Sequence, residues 1–181
     1  MNSMRIAASL VFAVVATVGG YYASSTLTGD KANAAMVSTA NSNAVNSLWN
    51  AQLQNAVGTS QKIAAFKGKP VVINFWASWC GPCVKEMPAL SVMNQEYAKK
   101  GITFIGVGVD SDKNVNAFLQ KVPVGYPVYI AGFGGADLAR NFGNNAGALP
   151  FTVVIDAKGA IRSTKLGEVD PKELKATLDG L

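Results

Sequence analysis

Histidine is absent from this 181-residue chain, and cysteine occurs only twice. Without histidine there is no Ser-His-Asp triad, no Cys-His catalytic pair and no imidazole metal ligand. With no second cysteine pair, the chain cannot assemble the roughly four ligands of a structural zinc site. Internal repeats and low-complexity blocks are also missing, so the composition is that of an ordinary globular protein. Dense runs of like charge are lacking as well. The net charge is +5, but Lys62, Lys67, Lys69, Lys99, Lys100, Lys113 and Lys158 are scattered along the sequence. That pattern describes a solvated surface and argues against nucleic-acid binding.

Both cysteines fall in one short segment, Trp79-Cys80-Gly81-Pro82-Cys83. Two thiols at this spacing close and open a small disulfide ring as electrons pass. Val71-Val72-Ile73-Asn74-Phe75 before them reads as a buried strand, entered through the turn signal Gly68-Lys69-Pro70. The stretch from Cys83 to Lys100 reads as a helix. Cys80 then stands at a helix N-terminus, where unpaired N–H groups and the helix dipole favour a thiolate. A purely structural bridge over so short a loop restrains the unfolded chain little. Two inert buried thiols would not need Gly81 and Pro82 between them, nor a tryptophan in front. The segment is a candidate site for thiol–disulfide exchange, with the more exposed, more acidic Cys80 as nucleophile and Cys83 as resolving thiol.

The N-terminus carries a second signal. Met1 to Arg5 is short and basic, and Ile6 to Val18 is apolar and rich in alanine and valine. Residues 1–28 are expected to be a cleaved signal sequence or an uncleaved membrane anchor. Either one places the rest outside the cytoplasm, where a dithiol needs a dedicated electron supply. Residues 29–46, rich in Ala, Ser, Asn and Thr, are expected to be a flexible tether before a domain at 47–181.

Within that domain, Leu53 to Phe66 reads as short strands about the turn at Gly58, closing with Ile63-Ala64-Ala65-Phe66. Pro88 interrupts the helix after Cys80, and a kink is expected near Glu86-Met87. Ile102 to Val109 is a second buried strand, with glycines where a neighbouring backbone packs closely. Asp112 or Asn114 caps the next helix, which ends at Pro123. A short strand at 127–130, a glycine-rich connection and a helix over 136–142 follow. Phe151 to Ile155 and Ala160 to Leu166 form a hairpin, and Asp170-Pro171-Lys172-Glu173 opens a last helix. The order β-α-β-α-(β-α)-β-β-α predicts an α/β fold, a mixed central sheet flanked by helices, with extra short strands at its N-terminal side.

The strand, the WCGPC segment and its helix, followed far downstream by Ala148-Leu149-Pro150-Phe151-Thr152 before a hairpin, resemble thioredoxin. Gly68 through Cys83 together with Glu86-Met87-Pro88 resemble, more narrowly, the exported thiol–disulfide oxidoreductases of the TlpA/ResA type. The resemblance covers about residues 48–181. It implies a thioredoxin fold, no cofactor beyond the redox-active Cys80–Cys83 pair, and no metal. It implies a cis bond before Pro150, which packs on the disulfide and, with Leu149, Trp79, Gly81 and Pro82, shapes a site for substrate chain. The resemblance also implies that the Gly81-Pro82 dipeptide goes with a reducing couple, hence a reductase.

Asn74 stands where thioredoxin has a buried aspartate, and an amide cannot take a proton from Cys83. Glu86, one helical turn after Cys83, lies on the same face. Desolvated near a thiolate it would have a raised pKa and relay a proton, and the resemblance supports that role. The alternative is a solvated glutamate. Lys85 and Glu96 read as solvated helix positions, Trp79 as a shield over the site, and Trp76 as partly core. Implied partners are protein disulfides of the envelope, in apocytochrome c or copper proteins, and a membrane electron donor of the DsbD/CcdA type. A Cu(I) carrier on the same fold and a thiol peroxidase are the alternative readings. The first lacks the wider Cys spacing and histidine of Sco-like proteins, the second a Pro-x-x-x-Thr-x-x-Cys pattern.

Overall fold

A computed structural model describes residues 34–181; the segment 1–28, expected to be a signal or anchor, lies outside them. No helix among the described residues is long and apolar enough to cross a membrane. Residues 41–181 form one compact unit, which holds the sheet.

Seven strands make one mixed sheet in the order β2-β1-β5-β4-β3-β6-β7. Its central strand is β3 (Val71–Trp76), every residue of which is buried. Val71, Ile73 and Phe75 point to one face, while Val72 and Trp76 point to the other, the period of two that a pleated strand imposes. β3 pairs in parallel with β4 (Thr103–Gly108), which pairs in parallel with β5 (Val128–Ile130). On its other side β3 pairs antiparallel with β6 (Phe151–Ile155), and β6 with β7 (Ile161–Leu166). β1 (Gln52–Asn55) and β2 (Ser60–Lys62) form an antiparallel hairpin that docks on β5. Parallel neighbours need helical crossovers, so both faces are covered.

The face holding Val72 and Trp76 is covered by α2 (Gly81–Ala98), α3 (Asp112–Lys121) and α5 (Pro171–Asp179), through Met87, Leu90, Val115, Leu174 and Leu178. The opposite face is covered by α1, helical over 34–50, and α4 (Gly135–Asn141). Each fully buried Leu, Ile or Phe here stabilises the fold by about 1.5–3 kcal/mol.

Four sequence-based expectations are corrected. Residues 34–46, assigned to the tether, are helical, and Ala44 and Val45 are buried beside Leu48 and Trp49. These four recur on one helix face, a short periodicity hidden in an alanine-rich run. Ile63–Phe66 forms a 3-10 turn instead of a strand, carrying buried Ile63 beneath the sheet. The α3 cap is Ser111, whose hydroxyl accepts from the Asn114 N–H; Asp112 and Asn114 lie inside the helix. The glycines of β4 make room for side chains: a Cβ at Gly106 would meet the Trp76 indole and the Tyr126 ring, and one at Gly108 would meet Val115.

Candidate active site

All three parallel strands end at the same pole, and there β3 hands over to α2 across the residues 77–80. Cys80 is the N-cap of α2, and its Sγ accepts from the backbone N–H of Cys83 at 3.3 Å. That contact is the electrostatic environment that favours a thiolate at position 80. Cys80 and Cys83 are joined in a disulfide, with 5.3 Å between their Cα atoms. Both are buried: Cys83 completely, Cys80 to within 5% exposure. Gly81 and Pro82 are exposed above them. Trp79 stands 68% exposed beside the pair, whereas Trp76 is fully buried and stacks near Phe118. Leu149–Pro150 is a cis peptide, the isomer the resemblance implies; Pro150 is buried and Leu149 half-buried.

Beneath the disulfide lies a buried polar cluster. Glu86 is 4% exposed, and each of its oxygens accepts one hydrogen bond: Oε1 from Asn74 Nδ2 at 2.8 Å, Oε2 from the Val169 N–H at 2.8 Å. Asn74 Nδ2 also donates to Thr152 Oγ1 at 3.0 Å. Asn74 and Thr152 are register partners on β3 and β6, which explains why they meet. Burial holds the Glu86 carboxyl above its ordinary value of 4.5, against the Val169 and Asn74 hydrogen bonds that favour its anion; the charge of Glu168 adds to the rise. A pocket of about 100 Å³ lined in part by Thr152, Val169 and Leu174 opens beside two of the residues that bond within this cluster. An acid of this kind can exchange a proton with a neighbouring thiol and then with water.

A second buried carboxylate holds the loop. Asp110, just after β4, accepts four hydrogen bonds: at Oδ2 from the Ser78 N–H (3.2 Å) and Ser78 Oγ (2.5 Å), at Oδ1 from the Ser111 N–H (2.7 Å) and Asn114 Nδ2 (2.9 Å). Burial alone would raise its pKa, but the bonds from Ser78, Asn114 and Ser111 outweigh that and hold the carboxyl below its ordinary value. Ser78 is two residues before Cys80, so Asp110 fixes the segment that presents the disulfide.

Sequence reasoning placed Cys80, Cys83, Glu86, Trp79 and Pro150 at one pole, and the fold brings them together there. It did not identify the parts played by Asp110, Thr152 or the Val169 amide. The available signal for Asp110 was its position: a carboxylate at the end of an apolar strand parallel to the one that leads to the cysteines. Lys85 and Glu96 are exposed and form surface ion pairs with Glu168 and Lys175. Among the described residues no cluster of three His, Cys, Asp or Glu side chains has the placement of a metal site.

The Redoxin family profile matches residues 28–180. The chain belongs to the Redoxin family. It is 34% identical over 131 residues to the thioredoxin-like protein YneN of Bacillus subtilis, covering 70% of this chain and 74% of that one. It is 29% identical over 130 residues to the thiol–disulfide oxidoreductase ResA of Geobacillus thermodenitrificans, covering 71% and 72%. Among solved structures, a thioredoxin-related protein from Neisseria meningitidis serogroup B is 35% identical with a TM-score of 0.63, over 71% of this chain and 96% of that one. The fold is that of thioredoxin, and the TlpA/ResA resemblance of the motifs holds. With its Cys80–Cys83 disulfide at the start of α2, this Redoxin member is a thiol–disulfide oxidoreductase of the ResA type.

Proposed function

We propose that the protein is a reductase of protein disulfides in the cell envelope. In the reduced protein the Cys80 thiolate attacks one sulfur of a substrate disulfide, forming a mixed disulfide and releasing the other substrate sulfur as a thiolate that takes up a proton. Cys83 then gives its proton to Glu86 and attacks Cys80 Sγ. The Cys80–Cys83 disulfide re-forms, the second substrate thiol leaves, and two electrons have passed to the substrate. A donor dithiol of the DsbD/CcdA type restores the reduced state by the same exchange in reverse.

The carrying observation is the asymmetry of the pair: Cys80 Sγ accepts the Cys83 N–H at the helix start, while Cys83 is wholly enclosed, one helical turn before the buried Glu86. Trp79, Gly81, Pro82, Leu149 and Pro150 border the pair and form the surface that receives substrate chain. Residues 1–28 deliver the domain to the envelope as a signal or as an anchor. The resemblance favours apocytochrome c haem-site cysteines or copper-protein cysteines as substrates.

The test is capture. In cells carrying Cys83→Ser, mixed disulfides at Cys80 accumulate, and their identification names the clients. Envelope proteins with paired cysteines are the expected catch. Failure to trap any protein through Cys80, under conditions where the Cys80→Ser control is equally blank, rejects the reading.

A further inference from the structure

The lysines that are scattered in the sequence are gathered by the fold. β3 and β4 both begin at the pole opposite the disulfide. Lys67 and Lys69 lie in the turn into β3, Lys99 is the C-cap of α2, Lys121 ends α3, and Lys158 sits in the turn between β6 and β7. All five are exposed, and none has a carboxylate partner among the described residues. The carboxylate side chains described at this pole, Glu96, Asp156 and Asp179, are each already paired, with Lys175, Arg162 and Lys100. Most carboxylates lie at the other end, where Asp110, Asp112, Asp137, Glu168, Asp170 and Glu173 follow a strand or open a helix, and there Lys62, Lys85, Lys113, Arg140, Lys165 and Lys172 offset them. The domain is therefore electrically polar, with its excess positive charge on the face turned away from the disulfide.

The chain also enters the domain at the basic pole. Val45 lies under the β6–β7 turn, where a Cβ at Gly159 would come within 3.9 Å of its Cγ1, and Val45, Trp49, Lys67 and Lys158 line one pocket. Residue 41, where this unit begins, thus lies at the end of the domain that carries the lysines.

We propose that this pole seats the domain on an anionic lipid bilayer. The inference rests on the envelope reading, with residues 1–28 as the membrane segment. Exposed lysines attract anionic headgroups, and the attraction decays within a Debye length of about 10 Å at moderate salt. The disulfide pole, where cations and carboxylates balance, gains nothing from the lipid charge, and that difference between the poles sets the orientation. The six residues of β3 rise about 3.3 Å each, so the disulfide faces away from the lipid, roughly 20 Å above it. Partners that carry their disulfides at that height are presented to Cys80 directly. A donor that delivers electrons from within the bilayer requires the domain to lift, which weak, salt-dependent seating allows.

The test is lysine footprinting of the full chain in vesicles. The chain is inserted into phosphatidylcholine vesicles with or without phosphatidylglycerol, acylated briefly with a water-soluble reagent, and read by mass spectrometry. With phosphatidylglycerol at low salt, acylation of Lys67, Lys69, Lys99, Lys121 and Lys158 slows several-fold. Lys62, Lys113 and Lys172 keep their rates, and high salt abolishes the difference. Uniform rates, protection of the second set, or equal protection in pure phosphatidylcholine (a protein contact instead of lipid) overturns the proposal. Replacing any four of the five lysines with glutamine removes the protection of the one that remains yet leaves reduction of a soluble protein disulfide unchanged. If reduction is absent in the parent protein while the footprint is present, the reductase reading fails and the seating stands.

Discussion

Asn74 Nδ2 donates to Glu86 Oε1 at 2.8 Å, while the other end of the same amide, Oδ1, is buried with no protein partner among the described residues. The pairing suits a carboxylate that changes its charge. An anionic Glu86 needs a donor, which Nδ2 supplies. A protonated Glu86 needs an acceptor, and a half-turn of the amide would bring Oδ1 into place, where the Thr152 hydroxyl, which now accepts from Nδ2, would donate to it instead. An aspartate at position 74 would compete for the proton; asparagine serves either state of its neighbour.

Glu86→Gln removes the proton acceptor while keeping shape, and the same amide rotation satisfies the new side chain. Resolution of the mixed disulfide by Cys83 is expected to slow by at least about tenfold, the lower part of the range for general acid–base catalysis. Its pH dependence should lose one inflection. Stopped-flow measurement of substrate release against pH checks this; an unchanged profile makes Glu86 a structural residue only. Stability moves in a definite direction too. A carboxyl whose folded pKa is raised contributes stability below its unfolded value of 4.5, and that contribution is lost as pH rises through the folded value. The glutamine variant therefore gains on the parent protein as pH rises through that window.

Asn74→Asp sets two carboxyls at hydrogen-bond distance in a buried site, where both cannot ionise together. The pair should hold one proton to higher pH than Glu86 does alone. Infrared or NMR titration of the variant will show an upward shift of the carboxyl transition; a transition at the parental position contradicts the argument.

Asp110→Asn forces an NH2 group against N–H and O–H donors. Losing hydrogen bonds to a buried charged acceptor costs roughly 2–3 kcal/mol, read as a lower urea midpoint with the slope unchanged. Because the folded pKa of Asp110 is lowered, its contribution is present above the unfolded value of 3.8 and disappears as pH falls through the folded one. The variant and parent stabilities should therefore converge in acid.

Gly106→Ala puts a Cβ 3.1 Å from Trp76 Nε1, 3.2 Å from Tyr126 Cε2 and 3.3 Å from Val128 Cγ2. Three buried neighbours must give at once, so a loss of about 1–3 kcal/mol is expected. By contrast Lys85→Ala breaks a pair whose side chains are 73% and 41% exposed, and at most about 1 kcal/mol should be measurable by unfolding.

Much of this was legible in the sequence because the signals are local. The run Val71–Phe75, the Cys-x-x-Cys spacing, the proline at the start of α5 and the β6–β7 turn each depend on a few adjacent residues. The α1 helix was missed because alanine and asparagine dominate the run and the apolar face at Ala44, Val45, Leu48 and Trp49 is short. Ile63–Phe66 misled because apolar residues in so short a stretch suit a strand and a 3-10 turn equally. The Ser111 cap was passed over for two acidic or amide neighbours that fit the same rule. The Asp110 clamp and the Asn74–Thr152 contact join residues far apart in sequence, 32 and 78 positions respectively, and only the register of the sheet reveals them. The basic pole is hidden in the same way.

The central claim is that Cys80 attacks and Cys83 resolves. Reduced Cys83→Ser and reduced Cys80→Ser are each mixed with a disulfide-bonded protein, and the products are separated without reductant. The account predicts a stable covalent adduct through Cys80 in the first variant and little or none in the second, whose thiol is fully enclosed. Adduct formation through Cys83 at an equal or greater rate would contradict it.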